Sequence, residues 1–143
     1  MTCRALVLAV LVSTLAAAAP PPPDVSGTWH VKMDGETRRR PDGSTTTVNE
    51  MQATMVLTQK GGDLTGELTV RDSWKLTGRV DDSGRLQLTS ERRGIPFITN
   101  GKQGTTQARW VLHGALAGGT LSGTAALEIE DREPTPRKWS GQR

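Results

Sequence analysis

A chain of 143 residues with a formal net charge of +3 is the length of one domain and is close to neutral. Its single cysteine, Cys3, excludes an internal disulfide and a cysteine metal site. The near-neutral charge, without an exposed aromatic stripe beside its arginines, argues against a nucleic-acid partner. No apolar run beyond residue 19 has the length of a membrane-spanning helix, so we predict no membrane span.

The first 18 residues have the features of a secretory signal peptide. Arg4 supplies the positive charge, 5–12 the apolar segment, and 16–19 the small residues of a cleavage site. Because Pro20 blocks cleavage directly before it, we expect cleavage after Ala18. The apolar run is short for a retained membrane anchor, which is the alternative. The sequence therefore predicts an exported protein, periplasmic or extracellular, whose net charge falls by one from +3 when Arg4 is removed.

Residues 19–25 are predicted to form a proline-rich spacer, and 26–143 to form a single domain. In that domain no window has helical periodicity, and short alternating runs are separated by glycine-rich or Asp-Gly turns. The runs are 27–34, 50–59, 64–71, 74–80, 85–92, 105–116, 120–130 and 137–142. One apolar and one polar face on each run predicts an all-β fold, a single antiparallel up-and-down barrel of about eight strands. A sandwich is the alternative.

Matching apolar faces between neighbouring runs predicts their register. Leu57 is expected opposite Leu64, Val70 opposite Trp74, and Leu116 opposite Leu121, which keeps one face inward throughout. Several glycines fall on that inward face, where they permit the sharp bends of a small barrel.

Four tryptophans dominate the predicted core, since the chain has no tyrosine and one phenylalanine. They are Trp29, Trp74, Trp110 and Trp139, all on inward faces. Each buries ~150–250 Å², worth ~4–6 kcal/mol before opposing terms. Each indole N–H therefore needs an acceptor inside the barrel.

Short motifs recur: Leu64-Thr65-Gly66, Leu76-Thr77-Gly78 and Leu121-Ser122-Gly123, with Ser26-Gly27-Thr28-Trp29 at the start and Trp139-Ser140-Gly141 at the end. With these motifs the chain resembles the small secreted bacterial barrels of lipocalin-like or avidin-like (calycin) type. The resemblance to lipocalin-like proteins implies a small apolar or amphipathic ligand inside the barrel. Biotin binding is not implied, because avidin-like sites need a tyrosine and polar groups after the first tryptophan, whereas His30 and Val31 follow here.

The predicted strand order gives the barrel two unequal ends. Three tight turns lie at one end, and the longer connections, including 36–48 and 93–104, lie at the other. We predict that a ligand enters at the end with the long loops, contacting Trp74, Trp110, Trp139, Phe97 and Ile95. The apolar group 95–98 is expected either to plug this end or to form a lid or partner-facing patch, and the plug is favoured.

A second interpretation is a protein-interaction or inhibitor module with a filled barrel. Arg38, Arg39 and Arg40 precede Pro41-Asp42-Gly43 in a segment without an apolar face, so they are predicted to form a partner-facing loop. No catalytic motif occurs, and His30 and His113 fall on outward faces of separate runs. We therefore predict a monomeric binding protein that is not an enzyme and that holds no cofactor or metal.

Overall fold

The computed structural model describes residues 20–48 and 50–143, of which 36–38 and 46–48 are described by their backbone alone. The predicted signal peptide thus lies outside the described residues. The described residues form strands and turns, and no helix among them is long and apolar enough to cross a membrane. The strands are β1 (Gly27–Met33), β2 (Glu36–Arg39), β3 (Thr45–Val48), β4 (Met51–Lys60), β5 (Asp63–Val70), β6 (Asp72–Val80), β7 (Arg85–Ser90), β8 (Arg93–Thr99), β9 (Lys102–Ala117), β10 (Thr120–Ile129) and β11 (Arg137–Gln142).

Eight of these strands close into an antiparallel barrel, as the alternating runs predicted. Their order is β1-β4-β5-β6-β7-β9-β10-β11, and β11 pairs back with β1. Closure leaves the barrel wall without a free strand edge. The architecture is compatible with a calycin-like fold.

We call the end where β1 finishes and β4 begins the top. The three tight turns are at the bottom, between β4 and β5, β6 and β7, and β9 and β10. Each contains a glycine with positive φ: Gly61 at 62°, Gly84 at 86°, and Gly118 at 59°. The predicted orientation of the two ends is therefore confirmed.

Two of the three predicted registers are wrong by two residues, and the third is correct. Leu57 lies opposite Gly66 rather than Leu64, and Trp74 lies opposite Leu68 rather than Val70. The positions of the turns cause both shifts. Gly61 takes the positive φ in the turn between β4 and β5, and Arg71, at φ 61°, is the single residue between β5 and β6. A shift of two keeps the same face inward, so the core composition was unaffected. The pairing of Leu116 with Leu121 is as predicted.

The recurring Leu-Thr-Gly and Leu-Ser-Gly motifs mark points of close approach between strands. A Cβ on the glycine of each motif would overlap a neighbouring backbone carbonyl oxygen, so no other residue fits there without a shift of the backbone. Measured from that added Cβ, the distance is 2.0 Å to Val56 O at Gly66, 1.9 Å to Gln87 O at Gly78, and 1.9 Å to His113 O at Gly123. The motif therefore encodes barrel curvature.

The bottom of the barrel is covered by the segment predicted as a spacer. Val25 is fully buried, and its carbonyl accepts a hydrogen bond of 2.9 Å from Trp29 Nε1. Gln59 clamps the segment, because its Oε1 accepts from Val25 N at 2.8 Å and its Nε2 donates to Pro23 O at 3.1 Å. The domain thus includes Val25 in its core, one residue before the predicted boundary at Ser26.

Three Asp-x-Ser turns share one hydrogen-bond pattern, in which an aspartate Oδ1 accepts from the backbone N and the Oγ of the serine two residues on. The aspartates are Asp24, Asp42 and Asp81. The serine hydroxyl lowers the pKa of each carboxyl most, followed by backbone N–H groups. Asp24 and Asp81 lie at the bottom, whereas Asp42 is in the turn between β2 and β3.

The segment 93–104, predicted to be a loop, is instead part of a long β-hairpin. Thr89 pairs with Val111 and Arg93 with Ala108, so residues 90–92 of one strand face only 109–110 of the other. This β-bulge bends the chain and lets β8 continue along β9 above the barrel. Asn100 and Gly101, both with positive φ, form the two-residue turn. The Asn-Gly pair was the signal missed in the sequence.

Ser90 stabilises this bulge from within the core. It is 6% exposed, and its Oγ accepts a 2.7 Å hydrogen bond from Trp110 N while donating to Glu91 O. The hydroxyl thereby replaces a backbone acceptor that the bulge removes from the ladder.

Candidate functional site

A cavity of about 310 Å³ opens at the top of the barrel, and we call it the mouth cavity. Its walls come from six barrel strands, from the tip between β5 and β6, and from the start of β8. The lining residues are Met51, Val70, Arg71, Asp72, Trp74, Ile95, Trp110, Leu127 and Arg137. The sequence places them together because each lies where a strand reaches the top.

Two tryptophans give the mouth cavity its aromatic surface. Trp74 and Trp110 are each 4% exposed, so most of each ring packs into the core while the remainder borders the cavity. Trp74 lies near the start of a downward strand next to the Arg71 tip, and the backbone N of Trp110 donates to the Ser90 hydroxyl, so the backbone at both positions is held in place. Both rings are therefore fixed before any ligand arrives.

Arg93 covers the outer face of Trp74. Its guanidinium carbon lies 3.8 Å from the ring centroid, its Nη1 donates to Ser73 O at 2.8 Å, and its Nη2 lies 3.3 Å from Asp72 Oδ2. Three simultaneous contacts restrict the guanidinium to one position. The same residue begins β8, so it also joins the hairpin of β8 and β9 above the barrel to the edge of the cavity.

The rim of the mouth cavity carries charge, whereas its floor is apolar. Arg71, Asp72 and Arg137 line the cavity together with six apolar residues. Arg71 is exposed at the β5–β6 tip, where its φ of 61° directs the chain sharply back. An apolar floor beneath charged side chains is suited to an amphipathic molecule.

Three of the five predicted ligand-contacting residues line the mouth cavity: Trp74, Trp110 and Ile95. Phe97 lies further along β8, where its ring packs within 2.7 Å of the position a Cβ would take at Gly104. Trp139 is 2% exposed, and its Nε1 donates to His113 O and Thr124 O, each at 3.1 Å. Strand tilt carries its ring away from the top and over Gly114.

The apolar group 95–98 is divided by the alternation of β8. Ile95 packs against the core and lines the mouth cavity, whereas Ile98 is 71% exposed. Within the group predicted to plug the top of the barrel, Ile95 thus packs inward, whereas Ile98 forms an exposed surface instead.

Sequence reasoning missed six residues of the lining that lie at or beside strand ends: Met51, Val70, Arg71, Asp72, Leu127 and Arg137. The apolar ones were correctly placed on inward faces. Their height within the barrel was hidden, because it depends on strand tilt and on the exact turn positions.

The predicted basic loop forms the end of β2 and the start of the turn in a separate two-stranded sheet of β2 and β3. Arg39 and Arg40 are exposed, and Arg40 N donates to Ser44 O at 2.7 Å across the turn. Arg38 lies in β2, and its side chain falls outside the described atoms. The segment is therefore a hairpin and not a core element, as its lack of an apolar face predicted.

Both histidines occupy exposed outward positions on separate strands, as predicted: His30 on β1 and His113 on β9. Within residues 20–48 and 50–143, no group of three or more His, Cys, Asp or Glu side chains is arranged to hold a metal ion.

Other hollows lie on the outer wall and, around Phe97, on β8 and the start of β9. One of about 600 Å³ crosses β4, β5 and β6 and is lined by Val56, Thr65, Gly66, Glu67, Lys75, Leu76 and Thr77. It follows the wall where Gly66 draws two strands together, and no aromatic side chain borders it. The mouth cavity is smaller but combines rigid aromatic surface with a charged opening, which is the more selective arrangement.

Comparison with known proteins does not assign the chain to a family: no family model matches it, and no curated protein matches it.

Proposed function

We propose that this protein is an exported binding module that takes a small amphipathic molecule at the top of the barrel. Its apolar part occupies the mouth cavity beside Trp74 and Trp110, and its polar or anionic group remains at the rim. The observation that carries the proposal is the mouth cavity itself, about 310 Å³ of mainly apolar space bordered by two fixed indole rings. This volume is at the lower end of the range for small-molecule sites.

The charge at the rim supports an anionic head group. Arg71, which is exposed, lines the opening, and the lining carboxylate Asp72 lies 3.3 Å from Arg93. A carboxylate or sulfonate on the ligand would therefore meet the exposed guanidinium of Arg71. We further propose that the lipocalin-like resemblance extends to this mode of binding.

Titration with anilinonaphthalene sulfonate, an aromatic anion whose emission rises in apolar surroundings, tests the proposal. We expect one saturable site, and competition by medium-chain fatty acids. The decisive variant is Ile95→Trp, which fills the cavity from the half-buried start of β8. It should weaken probe binding about tenfold or more.

Ile98→Trp is the matched control, since it makes the same change three residues along the same strand at a 71% exposed position. Probe binding should stay within about twofold of wild type. Equal weakening by both variants, or by neither, would place the probe elsewhere.

The contribution of the rim charge is tested with Arg71→Gln. Because Arg71 is exposed, we expect only about a threefold loss of affinity for a fatty acid. The affinity for the fatty alcohol of the same chain length should not change. A loss that is equal for acid and alcohol would show that Arg71 acts through the shape of the tip and not through its charge.

A further inference from the structure

A two-stranded ribbon extends the barrel wall above the mouth cavity. It consists of β8 and the paired first residues of β9, with registers from Arg93 opposite Ala108 to Thr99 opposite Lys102. We call residues 93–107 the ribbon. Above Ala108, β8 is the only strand in the structure that pairs with this part of β9 in the described residues.

The tip of the ribbon exposes apolar side chains. Ile98 is 71% exposed, the highest value for any large hydrophobic residue that the structure describes. Pro96, also exposed, lies on the same face of β8. Phe97 is half-buried on the other face, where it covers Gly104. Exposed apolar residues at the end of a projecting element indicate a contact surface.

The charge of the ribbon has one sign. No aspartate or glutamate occurs anywhere in residues 92–127. Two cations at the base are paired, Arg93 with Asp72 and Arg109 with Glu128 at 2.6 Å. Lys102, next to the Asn-Gly turn, is exposed and is the one charged residue between Ile95 and Gln107. The tip therefore combines apolar surface with positive charge and has no acidic residue.

We propose that the ribbon docks on an anionic lipid bilayer, with Ile98 in the interfacial region and Lys102 at the head groups. Apolar side chains beside a cation are the combination that holds peripheral proteins at such surfaces. Docking by this tip sets the mouth cavity toward the bilayer, since Ile95 belongs to both the ribbon and the cavity lining. The proposal does not depend on which molecule the cavity takes.

The free edge of β8 favours a lipid surface over strand addition by a protein. Pro96 pairs with Thr105 in the ladder but has no N–H, so it interrupts the row of donors along the strand. A proline on an edge strand is a common barrier to pairing with another chain.

A fluorescent label at the tip tests the proposal in the full chain. Thr99→Cys, in a Cys3→Ser background that leaves one thiol, is labelled with nitrobenzoxadiazole. Mixed with vesicles of phosphatidylcholine and phosphatidylglycerol, the label should brighten and shift to shorter wavelength. Vesicles of phosphatidylcholine alone should produce a much weaker change. Because the readout reports the tip itself, vesicle binding by the apolar residues 5–12 does not imitate it.

Two further substitutions in the labelled protein connect the response to the proposed contacts. Ile98→Ser should raise the lipid concentration for half-maximal response about tenfold, and Lys102→Glu about fivefold. Val56→Ser is the matched control, since Val56 is also exposed, at 43%, but lies on the barrel wall. It should change the response by less than about twofold.

Several outcomes would overturn the proposal. One is a label that stays in an aqueous environment while the protein sediments with vesicles. Another is an equal response to neutral and anionic vesicles. A third is a label that responds to a soluble protein partner but to no vesicle, which would reassign the ribbon to protein recognition.

Discussion

At each end of the barrel an arginine lies over a tryptophan ring, but the bottom is covered and the top is open. At the bottom, Arg143 lies 4.7 Å from the centroid of Trp29, and at the top, Arg93 lies 3.8 Å from that of Trp74. At the bottom the chain itself fills the remaining space, because Val25 is fully buried and bonded to the Trp29 indole. At the top the corresponding space is the mouth cavity.

The difference comes from the chain that is available at each end. Arg143 donates to Ser26 O and Asp24 O, so it fastens the N-terminal segment across the bottom. Arg93 instead donates to Ser73 O within the rim and begins the ribbon, which leads away from the barrel. The bottom is therefore covered because the N-terminal segment crosses it. The top is open because the ribbon extends away from it.

Removing the anchor of the covered end should have the largest effect on stability. Trp29→Ala deletes a fully buried ring and the hydrogen bond to Val25 O, so we expect a loss of about 3–5 kcal/mol in the free energy of unfolding. Ile95→Ala at the open end should lose only about 1 kcal/mol, since that side chain is half-buried beside an existing cavity. Urea denaturation measures both, and equal losses would contradict the distinction between the ends.

A smaller effect is expected from Ser90→Ala, which leaves the buried Trp110 N–H without its acceptor. The expected loss is about 1–3 kcal/mol in the free energy of unfolding. Hydrogen exchange should also quicken in the ribbon more than at the bottom turns. Ser122→Ala on the exposed face of β10 is the control and should have little effect on stability. If ribbon protection were unchanged in Ser90→Ala, the bulge would not depend on this hydroxyl.

The smallest effect concerns pH. Hydrogen bonds from Ser83 and Arg85 lower the pKa of Asp81 in the folded state, so protonation favours the unfolded state. Its stabilising contribution is present above the unfolded pKa of about 4 and is lost as the pH falls through the lower folded value. In Asp81→Asn, the melting temperature should therefore fall less steeply with acidification than in wild type.

Asp42→Asn is the comparison for this measurement, because Asp42 makes the same bonds to Ser44 in the hairpin of β2 and β3. That hairpin is a separate sheet, so the barrel should melt with the wild-type pH dependence. A change equal to that of Asp81→Asn would mean that the hairpin and the barrel unfold as one unit.

The top of the molecule was harder to predict than the bottom, and the reason is visible in particular residues. The glycine turns and the inward tryptophans follow from local pattern, and both were located correctly. The ribbon was missed because its apolar residues were read as a loop, although Asn100-Gly101 indicated a hairpin. Trp139 was placed at the top from its position in the strand, but barrel tilt carries its ring over Gly114.

What the sequence by itself determined is the set of eight barrel strands and the face of each that is buried, since a period of two depends only on neighbouring residues. Only the tertiary structure decided which strand ends meet at the mouth cavity, that Val25 covers the opposite end, and how far each strand slides past the next. Those relations depend on tilt, on turns such as Arg71, and on contacts between residues far apart in the chain, such as Val25 and Gln59.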